Sequence, residues 1–92
     1  MSIVVRFSPT ALTAEKYDKT IKTLEATGDF PPDGMDYHLS FGPEDGLLVS
    51  EVWDSQGQFE AFGERLMPIL SEAGIEFSGP PVILEVHNAI KR

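Results

Sequence analysis

Few side chains in this sequence can move a proton near neutral pH. It has no cysteine, and its two histidines are His38 and His87. An imidazole titrates at about pH 6.5, so either could act as a general base. His38 stands in MDYHLSF, residues 35 to 41, where Tyr37 and Leu39 alternate to the opposite face and Ser40 shares its own. It is the better candidate base, set against the plainer reading of a packed strand histidine. His87 and Asn88 close a strand in VHN and point to opposite faces. There, polar groups more often satisfy loop backbone.

Trp53, Phe59, Phe62 and Met67, with Tyr37 and Phe41 behind them, are the candidate walls of a substrate pocket. They are core first, and pocket walls if the core is hollow, because ligand sites are mostly apolar with a few polar groups. Asp29, Asp33, Asp36, Glu44 and Asp45 crowd the loops. A metal site would need several of them to converge with a histidine, and their spacing fits no known loop motif, so they read as solvated surface. No metal is expected. Arg65 follows the apolar helical stripe by three residues and reads as an exposed ion-pair partner, with an anion clamp as the alternative. No phosphate loop, G-x-S-x-G or H-E-x-x-H is present.

The elements that must position these groups can be read from periodicity. SIVVRFS, residues 2 to 8, reads as a strand ended by Pro9, with Ile3, Val5 and Phe7 on one face. Residues 13 to 27 read as a helix with Thr13 as N-cap, a Tyr17, Ile21 and Leu24 stripe, and Gly28 at the C-terminal turn. GDFPPDG is a loop, residues 35 to 41 a second strand, GPEDG a hairpin connection, and LLVSEVW, residues 47 to 53, a third strand. Ser55 with Gln58 fits a capping box, opening a helix whose buried stripe is Phe59, Phe62, Leu66 and Leu70. Pro68 predicts a kink or break near Met67, or the first residue of a second short helix. The last strand is expected over residues 82 to 88.

The order β-α-β-β-α-β predicts an α+β, ferredoxin-like fold: a four-stranded antiparallel sheet with both helices on one face. The other face stays bare yet carries aliphatic groups. It should bury against a second copy, giving a homodimeric α+β barrel. Size agrees with this. A 92-residue chain makes one domain, residues 1 to 92, which buries only about 60–65% of its unfolded surface. No disulfide can reinforce it. The net charge of −8 disfavours nucleic acid and anionic membranes as partners. No apolar run approaches the roughly 20 residues of a membrane span. MSIVVRFSP lacks the basic start and apolar length of a signal peptide, so a cytoplasmic location is the expectation.

On these residues the chain resembles the dimeric α+β barrel superfamily, and within it the antibiotic-biosynthesis-monooxygenase-like proteins. HLSFGPEDGLLVSEVWDSQGQFEAFGERLMPIL, residues 38 to 70, and VHN, residues 86 to 88, carry the resemblance. It implies fold strongly and chemistry weakly. The haem-degrading branch would require an Asn on the first strand, a helical Trp and a His ten residues later. Here the first strand has no Asn, and the other positions hold Phe62 and Glu72, so haem degradation is excluded. The cofactor-independent branch implies a phenolic or enolic substrate that is deprotonated and then reduces oxygen directly. His38 or His87 would be the base, and Trp53 and Asn88 the oxyanion donors, with no cofactor. Two functions therefore compete: a small-molecule-binding oxygenase or isomerase acting on a small apolar or aromatic ligand, and a non-enzymatic dimeric binding, sensing or structural module.

Overall fold

A computed structural model describes residues 2–28 and 30–90. Asp29, one of the loop acids, lies outside the described residues. The elements are β1 (Ile3–Phe7), β2 (Pro9–Thr10), α1 (Ala14–Thr27), β3 (Met35–Phe41), β4 (Leu48–Trp53), α2 (Gln56–Ala73), β5 (Glu76–Phe77) and β6 (Val82–Glu85). The main sheet has the order β3-β4-β1-β6 with every pair antiparallel. This is the ferredoxin-like arrangement.

The helices begin and end for local reasons. The Thr13 side chain accepts the Lys16 amide and caps α1, and the Ser55 side chain accepts the Gln58 amide and caps α2. Each helix ends at a glycine in the left-handed region, Gly28 at φ 78° and Gly74 at φ 74°, where a side chain would be strained. α2 runs unbroken through Pro68, so of the sequence expectations the break and the separate second helix are not met. Pro68 lies on the exposed face, so water can satisfy the Glu64 carbonyl that it leaves without a donor.

Register sorts the side chains. Toward the helices, Ser40 lies opposite Val49 and Val49 opposite Phe7, while His38 lies opposite Glu51 and Glu51 opposite Val5. Trp53 pairs with both Ile3 and Met35. A register shift at Asp36 places Met35 and His38 on this same face although they are three residues apart. Ile3, Val5, Leu24, Trp53, Phe59 and Phe62 form the main buried cluster. Trp53 packs on both helix phenylalanines at centroid distances of 5.7 Å. A second cluster of Leu12, Leu47 and Val49 sits beside Tyr17 and Ile75. It is pinned by the backbone bonds Leu47 N to Leu12 O (2.9 Å) and Ala14 N to Glu44 O (2.7 Å).

The opposite sheet face bears an apolar row across all four strands of the sheet: Tyr37, Val52, Val4 and Leu84. Leu39, Ser50, Arg6 and Val82 form the next row. Leu39 is 59% and Leu84 56% exposed, so the apolar content of this face is in contact with water in the protomer.

Two further features depart from the sequence expectation. The chain continues past Pro9 into a two-residue ladder, β2 with β5, supported by Ser78 N to Ser8 O at 2.9 Å. The last strand ends at Glu85, not Asn88. Val86 still donates to the Ser2 carbonyl at 2.9 Å, but His87 and Asn88 lie beyond the ladder and are exposed.

Candidate functional site

Glu51 is a charged residue on the buried face of β4, flanked there by Val49 and Trp53, and it is 3% exposed. A carboxylate cannot stay in such a place without partners. Both its oxygens have one. Trp53 Nε1 donates to Oε1 at 3.0 Å, and His38 Nδ1 lies 2.6 Å from Oε2. The second ring nitrogen of His38, Nε2, is 2.7 Å from the Tyr17 hydroxyl on α1. Four side chains from β4, β3 and α1 thus form one chain of hydrogen bonds, Trp53–Glu51–His38–Tyr17.

Donor inventory fixes the direction of part of this chain. The indole nitrogen only donates, and an ionised carboxylate only accepts. With Glu51 ionised, His38 carries a proton on Nδ1 and presents Nε2 toward Tyr17. Packing holds the ring. Tyr17 stacks beside it at a centroid distance of 5.8 Å and 19° between planes, and Phe30 meets it edge-on at 5.5 Å.

A cavity of about 60 Å³ lies against this chain. Its wall contains Tyr17, His38 and Glu51, with Phe30, Phe62 and Leu66 among the apolar groups. Typical ligand sites are about 300–1,000 Å³. The space holds a few water-sized groups, and a ring compound enters only if the wall gives way. Ile21, Phe30 and Leu66 in that wall are half-buried, so their displacement gives up less packing than displacement of Phe62 would.

Of the pocket residues expected from sequence, Phe62 lines the cavity. Trp53 is fully buried beneath it, reaching the site through Glu51, and Phe59 is core beside Trp53. Met67 is 57% exposed, and Met67, His87 and Asn88 are not part of the wall. Arg65 is exposed, with its guanidinium carbon 5.7 Å from the Phe62 ring centre. Among the described residues no group of His, Asp and Glu is placed to hold a metal ion. Asp36 and Asp54 do meet. The Asp36 carboxyl titrates above its ordinary value, through lost solvation first, then the Asp54 charge and their shared hydrogen bond.

By spacing alone Tyr17 belongs to an apolar stripe, and Glu51 is not among the candidates the sequence offers. The signal for Glu51 was present: Val49, Glu51 and Trp53 share one strand face, and a lone acid between two buried positions must have partners.

No protein-family model matches the sequence, and no curated protein matches it significantly. Solved structures do. SnoaB, a cofactor-independent oxygenase from Streptomyces nogalater, superposes with a TM-score of 0.62 at 14% identity, over 99% of this chain and 96% of that one. A candidate antibiotic biosynthesis monooxygenase from Deinococcus radiodurans gives 0.61 at 19%, over 100% and 98%. NE2512 of Nitrosomonas europaea, a protein of unknown function, gives 0.58 at 13%, over 99% and 92%. The chain has the fold of the antibiotic-biosynthesis-monooxygenase-like proteins. Likeness at this level of identity establishes fold and leaves activity to the site.

Proposed function

We propose that the protein binds a small phenolic or enolic molecule against the Tyr17–His38 edge of the cavity and removes a proton from it, as a cofactor-independent oxygenase or isomerase. The observation that carries this reading is the buried Glu51 carboxylate orienting His38 at a cavity wall. A base held in one tautomer by a third group is the arrangement general-base catalysis needs. The apolar surround strengthens any hydrogen bond to the oxyanion that results. SnoaB, described as a cofactor-independent oxygenase, lends support through the shared fold.

The working unit is proposed to be a homodimer of single domains, residues 1 to 92, joined through the exposed sheet face and located in the cytoplasm. The Tyr37–Val52–Val4–Leu84 row supports the dimer. Among the described residues no helix is long and apolar enough to cross a membrane.

A second reading, a non-enzymatic dimeric binding, sensing or structural module, draws on the small cavity volume and on an imidazole engaged at both nitrogens. Oxygen uptake with quinol- and anthrone-type substrates separates the two. Turnover by the wild type, abolished in a folded, dimeric His38→Ala variant, supports the oxygenase. Full activity in that variant rules out His38 as base, and a wild type that neither takes up oxygen nor isomerises the substrate favours the module.

A further inference from the structure

The geometry points to Tyr17, not His38, as the group that touches the ligand, with Tyr17 serving first as proton entry and then as oxyanion donor. This deepens the function proposed above and rests on it. His38 cannot reach a ligand in line with Nε2, because the Tyr17 oxygen occupies that direction at 2.7 Å. Its other nitrogen is committed to Glu51 at 2.6 Å. Tyr17 itself lines the cavity, and a hydroxyl has one proton to donate and two lone pairs. One bond to His38 leaves room for a second partner.

The proton movement balances without any added reagent. With His38 neutral, Tyr17 donates to Nε2 and offers a lone pair to the ligand hydroxyl. The ligand O–H bond breaks as a new Tyr17 O–H bond forms. The original Tyr17 O–H bond breaks as Nε2–H forms. The products are an imidazolium paired with the Glu51 carboxylate and a ligand oxyanion. Tyr17 ends neutral, with its new proton directed at that oxyanion. Glu51 is a positioning residue: it holds the tautomer that leaves Nε2 open to accept. Phe62 and the neighbouring apolar wall favour an aromatic or conjugated ligand body.

The test uses 4-nitrophenol as a chromophoric probe, read by difference spectroscopy with the wild type, Tyr17→Phe and Glu51→Gln. Thermal unfolding and circular dichroism confirm that each variant is folded. The wild type is expected to bind the probe saturably and to display the phenolate band at a pH where the free probe is largely neutral. Tyr17→Phe should still bind, with the ratio of bound phenolate to bound phenol lower by about tenfold or more, the worth of a charge-assisted hydrogen bond. Glu51→Gln should lose phenolate similarly while keeping Tyr17. If Tyr17→Phe ionises the probe as well as the wild type does, His38 acts directly and the relay is overturned. If the wild type does not bind or ionise the probe, the proposed function itself falls, and the relay with it.

Discussion

Replacing Glu51 with Ala deletes the acceptor for two donors at once. The Trp53 indole is 0% exposed and outside the cavity wall, so it is left without an acceptor, whereas His38 can turn to a water in the cavity. Each orphaned buried donor costs about 1–3 kcal/mol. A 92-residue chain has roughly 5–14 kcal/mol to lose, at about 0.05–0.15 per residue. The melting temperature of a domain this size falls by about 4–8 °C per kcal/mol, so a drop of at least about 4 °C is expected. Glu51→Gln should be milder. Its carbonyl can accept from Trp53 and its amide can donate to His38 Nδ1, which inverts the histidine tautomer and closes Nε2 to proton uptake. Urea denaturation of the wild type, Glu51→Ala, His38→Ala and the double variant forms a cycle, with a coupling of about 1–3 kcal/mol expected. A Glu51→Ala variant within about 1 kcal/mol of the wild type, or a coupling near zero, would refute the claim that this pair is built into the core.

Further expectations concern the rest of the molecule. Asp36 keeps its proton to higher pH in the folded state than in the unfolded chain, so the native state binds the extra proton over that interval. Its contribution to stability is therefore fully present below the ordinary carboxylate range and is lost as pH rises through the raised value. Asp36→Asn should flatten that part of the stability–pH profile in chemical denaturation at constant ionic strength. Leu39→Glu and Leu84→Glu should shift sedimentation toward the monomer, since both place charge on the exposed sheet face. An unchanged dimer would move the interface elsewhere. Thr13→Ala removes the hydroxyl that accepts the Lys16 amide at 3.1 Å and should cost about 1 kcal/mol in the same denaturation assay.

What the sequence discloses depends on how far apart the interacting residues lie. Thr13, Gly28, Ser55 and Gly74 act within a turn of their helices, so local spacing was enough to place the helix ends. The four-stranded antiparallel sheet follows from the alternation of elements, and the pleat sets His38 apart from Tyr37 and Leu39 without saying which of the two faces meets the helices. The relay was not legible in the same way. His38 meets Glu51 across 13 positions and Tyr17 across 21, and only the register of β3 on β4 and the seating of α1 bring them together. Tyr17 fits an apolar stripe as well as it fits a polar site, because its ring packs while its hydroxyl bonds. The β2–β5 ladder joins Pro9 to Phe77, a pairing too short to leave a strand pattern. Pro68 stays inside an unbroken α2 because it faces water, which its position in the helical pattern does not disclose.

In the proposed relay the ligand's proton passes to Tyr17 and the Tyr17 proton to His38 Nε2, while Glu51 holds Nδ1–H. Nitrogen-15 NMR of the His38 ring during a 4-nitrophenol titration tests it most directly. Nδ1 is expected to stay protonated throughout while Nε2 moves from the lone-pair to the protonated shift in step with the phenolate band. A phenolate band that grows with His38 Nε2 unchanged, or a free protein with the proton on Nε2 alone, would contradict it.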